Sequence, residues 1–167
     1  MLKKASLAAA LACLLTGPGL AEELTATVHK ISAEGIHEEL GKITAADGGH
    51  GLKITPDLTG LAPGAHAFHI HQRGDCGPGE KDGVKVAGLA AGGHYGHGGG
   101  HGKHDASHGK PIGDLPELVV AEDGSARTAV MAHQLKVAEL VGRSIMIHAK
   151  SEAEGGGERV ACGVFPK

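Results

Sequence analysis

"LGKITAADGGHGLKITPDL", residues 40–58, decides the fold. It reads as two short strands around "DGGHG", because glycine supplies the positive φ that a tight hairpin turn needs. The same pattern recurs on both sides. Upstream, "ELTATVHKI" (23–31) alternates, with Leu24, Ala26, Val28 and Lys30 on one face and Thr25, Thr27, His29 and Ile31 on the other. The first face is mostly apolar and the second mostly polar, as a half-buried strand requires. Downstream, "AHAFHIH" (65–71) is a strand and "QRGDCGPGEKDG" (72–83) a loop. "LPELVVAEDGSARTAVMA" (115–132) is a hairpin turning on "EDG", and "LKVAELVG" (135–142) is a short helical or irregular connection. "RSIMIHA" (143–149) and "RVACGVF" (159–165) are the last strands, separated by "KSEAEGGGE" (150–158). Eight short strands, no long helix and two long loops, at 72–114 and 150–158, describe an all-β antiparallel sandwich or barrel.

The composition agrees. A chain of 167 residues has room for one domain with a real core. It holds 29 glycines, and its aromatic residues are Phe68, Tyr95 and Phe165, which favours many glycine turns over long helices.

The first 21 residues stand apart. "MLKK" is a basic start, "ASLAAALACLL" is an apolar run, and "GPGLA" precedes the acidic "EEL". That order predicts a secretory signal peptide cleaved after Ala21, a mature domain over 22–167, and a periplasmic or secreted location. A buried N-terminal helix is the alternative, but Pro18 and Gly19 break it. Lipidation at Cys13 would want a leucine where Ala10 stands. No other stretch approaches the roughly 20 apolar residues of a membrane span.

With the leader go Lys3 and Lys4 of the 16 basic residues, leaving 14 against 19 acidic ones and a formal charge of −5. Nucleic-acid binding wants a basic face, so that class is excluded. Cys13 also goes, and the simplest state of Cys76 and Cys162 in an exported protein is one disulfide.

Thirteen histidines carry the candidate chemistry. In "HAFHIH", residues two apart share a face, so His69 and His71 point together while His66, Phe68 and Ile70 point the other way. The second set reads as core, with His66 a buried structural histidine. His69 and His71 form a pair able to hold one metal, although an isolated pair of this kind is often only solvent-facing. In "SIMIHA", Ile145 and Ile147 fit a core face and put His148 opposite. Alone, such a histidine is more often structural than a ligand.

The sequences around these residues decide between the alternatives. "GAHAFHIHQRGDCGP", "AGGHYG", "IGDLPELVV…EDGSA", "IMIHA" and "GGGERVACGVF" occur in the order and close to the spacings of the copper/zinc superoxide dismutases. The mature chain resembles that family over essentially its whole length, most closely the secreted bacterial branch. The resemblance implies a Greek-key sandwich or barrel and the disproportionation of superoxide to O₂ and H₂O₂. It implies copper held by His69, His71, His94 and His148, with His94 also bridging to zinc and passing on a proton. It further implies a Cys76–Cys162 disulfide and an attraction of the superoxide anion by Arg159. Imidazole suits a copper that changes oxidation state, and an always-charged guanidinium suits a small anion.

Two departures from the family pattern stand out. Counting from His94, the family's second zinc histidine would fall at Gly102 or Lys103 and its third at Pro111, while its aspartate falls on Asp114. The tract "HYGHGGGHGKHDASHGKPIGD" (94–114) offers His97, His101, His104 and His108 instead. His94, His104, His108 and Asp114 make a reasonable zinc set of three imidazoles and a carboxylate, with His101 competing for His104. The second departure is the loop from His148 to Arg159, only ten residues long, which leaves Lys150 and Arg159 against Glu152, Glu154 and Glu158. Steering of an anion should be weaker for it. Glu152 stands where the family has an aspartate linking the two metal sites, so it is either an outer residue that orients a ligand or a solvated surface glutamate.

Two function classes follow: an exported superoxide dismutase, or a non-enzymatic copper- or zinc-buffering protein on the same fold. A buffer has no need of four convergent histidines together with Arg159, which favours the enzyme. A homodimer is compatible with either.

Overall fold

The computed structural model describes residues 23–96 and 111–167. Residues 1–22, with the expected leader and cleavage point, and His97, His101, His104 and His108 lie outside the described residues.

Among the described residues, eleven strands form in chain order: β1 (Glu23–Ser32), β2 (Gly35–Gly48), β3 (Gly51–Leu58), β4 (Gly64–His66), β5 (Phe68–His71), β6 (Gly79–Lys81), β7 (Val84–Val86), β8 (Leu118–Val120), β9 (Val130–Ala132), β10 (Ser144–His148) and β11 (Arg159–Val164). Short 3₁₀ turns occupy Leu89–Ala91, Val137–Leu140 and Glu152–Glu154. Seven strands make one antiparallel sheet in the order β5-β10-β11-β1-β2-β3-β9. β4 pairs with β8, and β6 with β7. Long connections therefore carry the chain from β3 across to β5 and back to β9 beside β3, the crossing expected of a Greek-key barrel.

The hairpin of residues 40–58 forms as its glycines dictate, with Gly41 to Gly48 in register against Leu58 to Gly51. Gly51 is required there. Its φ is +120°, and a Cβ would lie 2.7 Å from the backbone of His133. Phe68 and Phe165 are fully buried beside Ile43, Leu52, Ile54 and Leu118 in the main core.

Four details differ from the sequence reading. Strict alternation put Lys30 inward and Ile31 outward, but the β1–β2 register shifts on both sides of His29. The bulge inverts the parity, so Ile31 is buried and Lys30 is exposed, as a bulge does by inserting one unpaired residue. Second, the single strand over 65–71 is broken at Ala67, whose N–H donates to the Lys150 carbonyl instead of to a neighbouring strand. Third, the loop at 72–114 contains the β6–β7 hairpin. Asp82 and Gly83 both have positive φ, 53° and 78°, the backbone of a two-residue type I′ turn. Fourth, residues 115–132 turn between Ala121 and Ser125 but form no hairpin, since β8 pairs with β4 and β9 with β3.

Candidate metal centre

The antiparallel register sets Met146 of β10 opposite His69 of β5 and Ser144 opposite His71. His69, His71, Met146 and His148 therefore share one face, while Phe68, Ile70, Ile145 and Ile147 fill the core on the other. All of β5 and β10 is buried, so this face is covered as well. Two loop segments run along the outer edge of β5 beside it. Residues 93–95 run beside β5, with Gln72 N–H donating to Gly93 O and Tyr95 N–H to Ile70 O. Residues 113–115 lie on the same strand, where Ile70 N–H donates to Gly113 O and Leu115 N–H to Phe68 O. A Cβ on Gly113 would sit 2.5 Å from the Ile70 carbonyl, so glycine is needed for this approach.

The result is a cluster of four imidazoles. One ring nitrogen from each of His69, His71, His94 and His148 lies within 4.8 Å of the others. The rings of His69 and His94 stack with centroids 3.9 Å apart, and His71 meets His94 edge-on at 5.0 Å. His69 is 2 % exposed, His71 0 % and His148 9 %.

Each of the three buried rings is engaged by one nitrogen from outside. His71 Nδ1–H donates to Gly92 O at 2.9 Å and His148 Nδ1–H to Gly157 O at 3.1 Å, while His69 Nε2 meets the Glu152 carboxylate. The opposite nitrogens, His69 Nδ1, His71 Nε2 and His148 Nε2, are buried with no hydrogen-bond partner. Buried polar atoms are rarely left so, and three converging at one point need an explanation. The outer bonds fix each tautomer so that the inner nitrogen presents a lone pair. This donor set fits a copper ion, for which imidazole is a preferred ligand. Burial holds the three imidazoles neutral, pushing His69 to about 3, His71 to about 2 and His148 to about 4.

That burial has a measurable consequence in the metal-free protein. Between these values and the ordinary histidine value near 6.5, the unfolded chain binds protons that the folded one does not. Stability should therefore be full above pH ~6.5 and fall as the pH drops toward 4, by up to about 1.4 kcal/mol per pH unit for each of the three histidines. Urea titrations of the apo protein at pH 7, 6, 5 and 4 measure it. A flat profile would contradict neutral burial.

Asp114 and His94 are in contact, with His94 Nδ1 to Asp114 Oδ1 at 2.7 Å. These are the two described members of the expected zinc set, and they lie together. His104, His108 and the competing His101 lie outside the described residues. Arg159 opens β11 and spans the turn before His94, donating from Nη1 to Gly88 O at 2.6 Å and from Nη2 to Gly92 O at 2.9 Å. Gly92 O thus serves His71 and Arg159 together. Burial lowers the pKa of the guanidinium from its usual value. Cys76 and Cys162 form the expected disulfide, with Cα atoms 5.7 Å apart. It ties the loop leading to Gly88 and Gly92 to β11. His66 is buried as expected, bonded to the carbonyls of Ala62 and His148.

The sequence reading missed the carbonyls of Gly92 and Gly157, which orient His71 and His148. Backbone acceptors leave no residue-type signature. The run Gly155–Gly157 is a partial one, since all three have positive φ and the loop can close over His148 only in that backbone. Also missed was the anchor under Glu152, whose N–H donates to the Glu117 carboxylate at 2.8 Å.

Residues 40–165 match the model of the copper/zinc superoxide dismutase family. The chain belongs to that family. A superoxide dismutase [Cu-Zn] of Haemophilus parainfluenzae is 42% identical over 139 residues, 77% of this chain and 74% of the relative. Among solved structures, the Cu/Zn superoxide dismutase from Brucella abortus superposes with a TM-score of 0.79 at 37% identity, covering 86% of this chain and 99% of the other. The monomeric copper, zinc superoxide dismutase from Salmonella enterica gives 0.76 at 38% identity, with coverage of 86% and 99%. The family's fold thus accounts for the sheet and the loops along the edge of β5.

Proposed function

We propose that this superoxide dismutase holds its copper through His69, His71, His94 and His148 and draws its anionic substrate with Arg159. The observation that carries the reading is the convergence of three buried, unpartnered imidazole nitrogens with His94. Bound there, copper supplies the one-electron exchange by which two superoxide anions and two protons become O₂ and H₂O₂. The protein's part is arrangement. Gly92 O, Gly157 O and Glu152 hold three rings from outside, and such outer partners orient a ligand and raise its basicity. Glu152 thereby takes the place of the family's aspartate. His94, paired with Asp114 through Nδ1, is the residue that would hold and pass on a proton. Arg159 is fixed by two carbonyls, so its charge is presented without first losing side-chain freedom.

Arg159→Ala should slow dismutation about tenfold and flatten its salt dependence while copper stays bound, because a fixed cation raises anion encounter rates. Stopped-flow decay of superoxide at several ionic strengths checks this. Unchanged kinetics would remove Arg159 from the mechanism.

Zinc is assigned to His94, His104, His108 and Asp114, with His101 the competitor. What supports it is the His94–Asp114 contact and the supply of histidines between them. Metal analysis of His104→Ala and His108→Ala should show zinc lost and copper kept, and full zinc in both would refute the choice. Residues 1–21 are proposed to direct export to the periplasm or beyond, with cleavage after Ala21. No helix of the described residues is long and apolar enough to cross a membrane. All five proposed copper-site residues come from one chain, so a monomer would suffice for catalysis; a homodimer is not required by the site.

A further inference from the structure

A second arginine, Arg143, lies outside the four-histidine cluster. Arg143 stands just before β10, and its guanidinium carbon lies 3.7 Å above the centre of the Tyr95 ring. Its Nη1 donates to Gln72 O at 3.0 Å and its Nε to Glu139 O at 2.7 Å. Glu139 closes the circuit. One carboxylate oxygen accepts the Tyr95 hydroxyl at 3.2 Å, and the other accepts the Lys136 N–H at 2.9 Å. Tyr95 is the neighbour of His94, and Gln72 is the neighbour of His71.

We infer that Arg143 is a positioning residue for the copper site, clamping the residue next to His94 and the residue next to His71 onto one rigid 3₁₀ turn. The inference rests on the assignment of His71 and His94 to copper made above. The reason a clamp is needed is local. His94 sits on a loop, not a strand, and strand-like contacts hold that loop through only a few backbone bonds. A loop ligand keeps its angle only if its neighbours are fixed, and misplacement by about 1 Å is enough to weaken a site. Tyr95 supplies a flat face for that purpose, and guanidinium stacks on it while its fork still reaches two carbonyls. A lysine cannot do both. The hydroxyl-to-Glu139 bond then sets the ring's rotation.

Copper binding to the full-length, zinc-loaded protein tests the clamp without reference to activity. Cu(II) affinity is measured by chelator competition, and the ligand field by the EPR spectrum of the loaded protein. Arg143→Met and Arg143→Lys should each lower the affinity, the former by about tenfold, the range for losing an outer support of a ligand. Both should shift the copper hyperfine splitting, with Arg143→Lys intermediate. Tyr95→Phe keeps the stacked face and should change either readout less than Arg143→Met. Ile54→Val, in the core strand β3, is the control for plain destabilisation and should lower the melting temperature with no spectral change. If Arg143→Met does not fold, Arg143→Lys decides by the same readouts. Wild-type affinity and spectrum in the folded arginine variants, or an equal shift in Ile54→Val, would overturn the clamp alone. Absence of nitrogen-ligated copper in the unchanged protein would overturn the site and the clamp with it.

Discussion

Replacing His148 with alanine is expected to abolish superoxide dismutation and to weaken copper binding by at least about 100-fold. Losing even an outer partner of a metal ligand costs 10–100-fold, and His148 is proposed as a ligand itself. Its ring is nearly buried, held by Gly157 O, and its Nε2 points unpartnered into the cluster. An alanine leaves a gap that His69, His71 and His94 cannot close, since each is fixed by its own hydrogen bond or ring contact. Folding should survive. The inner face loses a desolvated imidazole whose burial is itself unfavourable in the metal-free state, and the core residues Ile145 and Ile147 face the other way. Activity and copper stoichiometry on the same preparation measure the effect. A variant retaining both would show that the metal sits elsewhere.

Removing the disulfide is the second large effect. Cys76 and Cys162 are 86 residues apart, and closing a loop of that length is worth about 4–5 kcal/mol in the chain-entropy model. In a chain of this size Cys76→Ser should lower the melting temperature by on the order of 10 °C. The loss should reach the site as well. Cys76, Cys162, Ile31, Ala91 and Met146 form a small apolar cluster apart from the main core, and the chain from Cys76 leads to the carbonyls of Gly88 and Gly92. Those carbonyls hold Arg159 and orient His71. Activity should therefore fall more steeply than stability in Cys76→Ser when both are measured well below the melting point. Scanning calorimetry and activity, each with and without reductant on the unchanged protein, give the comparison. A drop of only a degree or two would mean that the cluster packs without the bond.

The sheet was legible because its signals are local. Alternation over β1 and the glycines at 48, 49 and 51 specify strands and a turn without help from the rest of the chain. His29 was not, since a bulge is set by the partner strand, and it reversed the faces assigned to Lys30 and Ile31. The β6–β7 hairpin carried a real signal in Asp82-Gly83. Its flanking strands are three residues each and mostly exposed, too short to show a period. At the site, the histidines were legible as residue types at strand spacing, and the family resemblance joined segments far apart in sequence. The acceptors that orient them were not. Gly92 O and Gly157 O are backbone atoms, and the Tyr95–Arg143–Glu139 contacts depend on how a loop folds across β5.

The most direct measurement is superoxide decay catalysed by the copper- and zinc-loaded wild-type protein, with metal content determined on the same sample and His148→Ala beside it. The expected result is rapid catalytic decay in proportion to bound copper, lost in the variant. A fully copper-loaded protein that leaves superoxide to its spontaneous decay would contradict a catalytic centre built from His69, His71, His94 and His148.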